Sequence, residues 1–184
     1  NNLGLGFEKQ GDFKKALEWS WRSFEHIRAH KIFPEIENWP AYHGIGANYS
    51  RLGNLDSALL FLKKAQELAK ENGVQNFFGY SSDQIGNTFS KMKIYDSAII
   101  YLKSAMDIML QENNDFGFQE FTRDLAQAYF KMDKLDSANH YALIAFTEAS
   151  RINNPLVVQD ASFILSRLNE KSDIPKAFEY LKLY

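Results

Sequence analysis

The tripeptide Asp-Ser-Ala occurs three times, at Asp56-Ser57-Ala58, Asp96-Ser97-Ala98 and Asp136-Ser137-Ala138, at steps of 40 residues. A fixed period of this size marks a chain that stacks one small unit on the next, instead of wrapping once around a single centre. Other columns keep the same step. Ala16, Ala58, Ala98, Ala138 and Ala177 form one. Thirteen residues before each stand Leu3, Ile45, Ile85, Leu125 and Ile164, each followed by Gly4, Gly46, Gly86, Ala126 or Leu165. An aromatic column follows as Phe7, Tyr49, Phe89 and Tyr129, with Leu168 in the last unit. Seven residues after the Ala column come Ser23, Ala65, Ala105, Ala145 and Tyr184.

Each unit reads as two helices, because apolar residues recur at helical spacing on both sides of a short turn. The third unit predicts helices over Phe77–Met92 and Asp96–Glu112, joined at Lys93-Ile94-Tyr95. Gly11-Asp12 and Gly53-Asn54 occupy that turn in the first two units. There a left-handed residue ends one helix and a polar side chain caps the next. The Asp of each Asp-Ser-Ala falls in the first turn of the second helix, where a carboxylate meets the positive end of the helix dipole. Asn72-Gly73, Asn113-Asn114 and Asn153-Asn154 read as stops for the second helices, and Pro155 suits the first position of the next. Small residues at Gly46 and Ala58 let two axes approach within a unit. The Ala65, Ala105 and Ala145 column does the same against the following unit, and the aromatic column fills the space between.

The pattern Leu/Ile-Gly-x-x-Phe/Tyr, then Gly, then Ala with a second Ala seven residues on, resembles the tetratricopeptide repeat. The resemblance covers the whole chain and is sharpest in units two to four. It implies an all-α, right-handed α-α superhelix of about five helix-turn-helix repeats. The units fall near 1–33, 34–74, 75–114, 115–153 and 154–184, in one array that reads as part of a longer protein. The repeats exceed the usual 34 residues of the family. Such long versions resemble those of bacterial signalling regulators and sensor kinases.

By the same resemblance, the inner surface is lined by the first helices. The candidate binding residues there are His43 and Arg51; Tyr80, Asp83, Asn87 and Lys91; and Glu120, Arg123, Gln127 and Lys131. Ala47, Ser162, Ser166 and Glu170 hold equivalent positions. Asp83, Asn87, Arg123 and Gln127 are expected to stack on neighbouring helices. The plainer alternative is a solvated helix face on which Asp83 and Arg123 pair only with each other, which stabilises little if exposed. Lys9, Arg51, Lys91 and Lys131 form a ladder with one cation per repeat. The family's clamp for a terminal carboxylate uses Lys and Asn on adjacent repeats. Here His43 and Ala47, or Asp83 and Asn87, stand in those slots, which disfavours that ligand.

The segment Lys31–Pro40 departs from the repeat and is rich in apolar residues. Phe33, Ile36 and Trp39 are a candidate docking patch, with packing on the neighbouring unit as the alternative. A helix break is expected before Pro40. One of Trp19 and Trp21 is expected to be exposed, since they point to different faces of a helix.

Composition narrows the chemistry. The chain has 184 residues, no cysteine, and 21 basic against 23 acidic side chains. Zero Cys removes disulfides, thiolate metal sites and cysteine nucleophiles. The charge balance argues against direct nucleic-acid binding, and no apolar run is long enough for a membrane span. His26 and His30 supply only half a metal site, so no metal and no cofactor is expected. No nucleophile–base spacing or phosphate loop points to an enzyme.

Two functions remain. The first is a non-catalytic scaffold for a protein or peptide partner, through the groove or the convex face. The second is the sensory region of a signalling protein, a histidine kinase or transcriptional regulator, whose output domain lies outside this sequence. Location follows the same fork, periplasmic for a membrane-bound sensor and otherwise cytoplasmic. Neither end shows a clear polar cap, so the array is expected to continue, meet a partner or self-associate through its ends.

Overall fold

The computed structural model describes residues 2–30, 38–170 and 173–184, and the side chains from Gly6 onward. These residues form helices only: α1 (Asn2–Lys9), α2 (Phe13–Ala29), α3 (Trp39–Arg51), α4 (Leu55–Glu71), α5 (Gln75–Lys91), α6 (Tyr95–Gln111), α7 (Asp115–Lys131), α8 (Leu135–Arg151), α9 (Pro155–Asn169) and α10 (Ile174–Leu183). The chain divides into two compact units, Asn1–Met92 and Lys93–Tyr184.

The turns explain the period. Among the described residues, Gly11, Gly53, Gly73, Lys93, Asn113, Asp133 and Asn153 hold positive φ between 53° and 83°. From Gly53 onward they stand twenty residues apart, in the middle of each three-residue turn between helices. The backbone then returns a bond to the helix just ended, as from Asn54 N–H to the Tyr49 carbonyl at 3.0 Å and from Asn114 N–H to the Met109 carbonyl at 2.9 Å. These bonds satisfy carbonyls that a helix end would otherwise leave open. Asp12 and Asn114 cap the following helix through their side chains, accepting from Lys15 N–H and Gly117 N–H. Asn54 stands at the expected cap position, but its side chain makes no cap bond. Pro40 and Pro155 both lie in the first turn of their helices, where no N–H is missed.

In unit 1, α3 packs on α4 and α4 on α5, with α1 on α2 and α2 on α3. The helices approach closely at Gly46. A Cβ built there would lie 2.7 Å from Leu62 Cγ and 3.1 Å from the Ala58 carbonyl oxygen. The Gly and Ala columns are therefore a steric requirement of this helix pair. Tyr49 stacks on Phe61 with centroids 5.6 Å apart, and Trp21 meets Phe61 edge-on at 5.3 Å.

Unit 2 repeats the plan. Ala126 of α7 and Ala142 of α8 share a buried cluster with Ile164 and Leu165 of α9. Ala145 and Ala149 pack with Val157 and Ala161. The second Ala column thus serves the junction with the next repeat, as its register implies. Tyr129 and Tyr141 stack at 5.5 Å and 3°. The last helix differs: α10 buries none of its residues, and Ile174, Phe178, Leu181 and Leu183 are at least half exposed.

Two expectations change. Neither Trp19 nor Trp21 is exposed; both are half-buried. Trp21 is covered by the aromatic cluster, and Trp19 lies beneath the Arg22 guanidinium at 5.3 Å, so one helix face gains cover from its own long side chain. Of the docking patch, Phe33 and Ile36 lie outside the described residues. Trp39 is half-buried against Phe77, with centroids 3.9 Å apart.

Candidate binding faces on the first helices

The first helices carry their polar residues on a face that is largely ordered from within. In unit 1 the centre is Asn48 of α3, which is fully buried. Its amide nitrogen donates to Glu8 Oε1 at 2.9 Å and to the Gly44 carbonyl at 3.1 Å, with Ser20 Oγ at 3.4 Å. Glu8 in turn meets Arg51 at 3.3 Å. One repeat further on, Lys91 Nζ donates to the Ser50 carbonyl at 2.9 Å, and Thr88 Oγ1 lies 3.1 Å from Ser50 Oγ. Two members of the cation ladder, Arg51 and Lys91, are therefore held by the preceding repeat.

His43 lies beside this network, with Nδ1 at 3.3 Å from Ser81 Oγ. Burial, seconded by the Arg51 charge, pulls its pKa down to about 4, so the imidazole is neutral at pH 7. Asp83 is only 3% exposed, and its carboxylate accepts from Asn87 Nδ2 at 3.0 Å and Gln84 Nε2 at 3.4 Å. Asn87 is half-buried, Lys91 is exposed, and Tyr80 is half-buried against Phe77 at 5.9 Å.

In unit 2 the matching face belongs to α7 and α9. Arg123 forks between Asp124 at 2.7 Å and Asp160 at 2.9 Å. It is a quarter exposed, so one guanidinium bridges two repeats while keeping an open edge. Burial raises the pKa of Glu120, and the Arg123 charge partly offsets this. Gln127 and Lys131 are exposed, whereas Ser162 and Ser166 are buried.

The structure therefore divides the sequence-derived candidates. Arg51, Lys91, Gln127 and Lys131 reach solvent. Asp83 belongs to the packing, and His43, Tyr80, Asn87, Glu120 and Arg123 sit between. Sequence reasoning missed Glu8, Asn48, Ser50, Thr88 and Asp160, which do the holding. For Asn48, Ser50 and Thr88 the signal is a polar residue at a buried helical position, three or five residues after the Leu/Ile column; Glu8 is half-buried five residues after Leu3, and the exposed Asp160 stands four residues before Ile164. His26 and His30 lie ring against ring at 4.2 Å. Among the described residues no group of three His, Asp or Glu side chains is placed to hold a metal, and no helix is long and apolar enough to cross a membrane.

Residues 40–72, which span α3 and α4, match the family model described as tetratricopeptide repeat. No curated protein sequence matches the chain. Solved structures match over nearly its full length. BtubC from P. vanneervenii is 17% identical with a TM-score of 0.81, covering 98% of this chain and 74% of that one. The Rap conjugation gene regulator of plasmid pLS20, in complex with a Phr peptide, is 18% identical with a TM-score of 0.85, covering 98% and 50%. Aspartyl phosphate phosphatase F from Bacillus subtilis is 15% identical with a TM-score of 0.83, covering 98% and 47%. This chain thus spans about half the length of the latter two. At such identities the likeness establishes the fold. The fold it defines, with the tetratricopeptide-repeat match at 40–72, is a helical solenoid of tetratricopeptide-like repeats.

Proposed function

We propose that the protein is a non-catalytic scaffold that holds an extended peptide or a segment of a partner protein against its first-helix faces. Arg51, Asn87 and Lys91 are the proposed contacts in unit 1, and Arg123, Gln127 and Lys131 those in unit 2. The observation that carries this reading is the fixing of the cations from the neighbouring repeat: Arg51 by Glu8, Lys91 by Ser50, and Arg123 by Asp160. Side chains already held in place lose little conformational freedom when a ligand arrives. The peptide bound to the structurally similar Rap regulator supports the choice of ligand class. The near-neutral composition supports a protein partner over a nucleic acid.

The test is selection from a displayed random-peptide library, followed by affinity measurement on the recovered peptides. Arg51→Glu with Lys91→Glu, and separately Arg123→Glu with Lys131→Glu, are expected to weaken binding at least tenfold with unchanged helicity. Lys64→Glu, on the exposed surface of α4, is the control and leaves affinity intact. Full affinity in both double variants removes these faces from the binding surface. Asp83 is unsuited to the test, because a change there disturbs packing.

A further inference from the structure

The junction of α2 and α3 is short of side-chain volume. In the repeat register, the position of Leu62 and Leu102 is filled on α2 by Ser20. On α3 the slot of Gln84 and Asp124 is filled by Gly44, and that of Ser81 and Phe121 by Ala41. Small side chains from both helices meet at one place. They leave a cavity of about 200 Å³ lined by Ser20, Ser23, Ile27, Pro40, Ala41 and Gly44.

The lining carries no charge, and its polar groups lie together. Ser20 Oγ donates to the Ala16 carbonyl at 2.9 Å, which leaves the hydroxyl an acceptor. Behind the wall stands the buried Asn48 amide, bonded to Ser20 Oγ and to the Gly44 carbonyl. Its Oδ1 is sealed from the cavity, so Ser20 Oγ is the acceptor that a ligand can reach. Ile27, Pro40 and Ala41 supply an apolar surface. Glu8 lies 2.9 Å from the Asn48 nitrogen and repels an anion brought to this edge.

We propose that this cavity is a binding site for an uncharged group of side-chain size, with a branched aliphatic body and one hydroxyl or amide donor. The body lies on Ile27, Pro40 and Ala41, and the donor points to Ser20 Oγ. The cavity borders the α3 face proposed above, but its test reads residues other than the Arg51, Asn87 and Lys91 contacts proposed there.

The whole 184-residue chain is titrated with isobutyramide and followed by amide NMR shifts. Saturable shifts at Ser20, Ser23, Ala41 and Gly44 are expected, with a dissociation constant of roughly 1–10 mM, the range open to so small a ligand. Isobutyrate, the charged isostere, leaves these signals in place. Ser20→Leu introduces the residue type that α4 and α6 carry at that position, fills the cavity, abolishes the shifts and raises the Tm. Should it fail to fold, Ser23→Val fills the same space from the next turn. N-acetylthreonine amide tells the two sources of such a group apart. Shifts at the same residues assign the site to a peptide side chain, and their absence beside isobutyramide binding assigns it to a free small molecule. The proposal is overturned if isobutyramide moves none of these signals, if isobutyrate moves them equally, or if the response survives in the filled variant.

Discussion

Gln119 of α7 is fully buried, and neither its amide nitrogen nor its oxygen makes a hydrogen bond. Desolvating such a group without a partner costs about 1–3 kcal/mol. Methionine has a similar length and no such demand. Gln119→Met is therefore expected to raise stability by about 1 kcal/mol or more in urea unfolding, and a loss of stability would show that the amide is satisfied in solution. His43 makes a second prediction at this scale. Its folded pKa, about 4, lies below the ordinary 6.5. The unfolded chain therefore binds the proton more readily, and the stability owed to neutral His43 is complete above pH 6.5 and lost as pH falls towards 4. The expected loss is up to roughly 3 kcal/mol. Urea midpoints at pH 7, 5.5 and 4 measure it, and His43→Gln is expected to flatten that part of the profile.

At the scale of the element, the packing of α3 on α4 depends on an absent side chain. Gly46→Ala places a methyl against the Leu62 side chain and the α4 backbone, with an expected cost of about 1–3 kcal/mol. A thermal melt reads this directly; an unchanged Tm would mean that the pair separates at little cost. This contact was legible in the sequence, because the Leu/Ile column and the Ala column stay in step across five units, with Gly after the first of them in units one to three. The turns were legible for a similar reason, since Gly53, Gly73, Asn113 and Asn153 are residue types that accept left-handed backbone. Asp133 carries a weaker form of that signal, and Lys93 adopts the same geometry without it; its place in the twenty-residue spacing imposes it. The polar first-helix faces were legible only as positions. Periodicity shows which residues share a face, and so it found Arg51, Lys91 and Arg123. It does not show which partner a long side chain reaches, and so Glu8, Ser50 and Asp160 went unseen. Nor does it give depth, which is why Asp83 looks like a groove residue in sequence and is buried in the structure.

At the scale of the whole molecule, each helix rests mainly on its neighbours in sequence, so stability is local and uneven along the chain. The α10 helix buries no residue and is held through contacts such as Tyr180 on Phe146, 5.6 Å apart. Amide hydrogen exchange is therefore expected to be fastest, among the helices of unit 2, over 174–183, and slowest in α7 and α8. Equal protection of α10 and α8 would show that the last helix is covered in solution.

The twenty-residue rhythm of left-handed turns also bears on how such a chain can change length over generations. Helices α4 to α8 each have 17 residues. A single residue gained or lost inside one of them rotates everything downstream by about 100° about the helix axis, turning buried faces outward. Duplication or loss of a complete forty-residue period keeps every small residue opposite its neighbour. Descendants of this gene are therefore expected to differ by whole periods and by changes confined to the turns, with the helices themselves fixed in length.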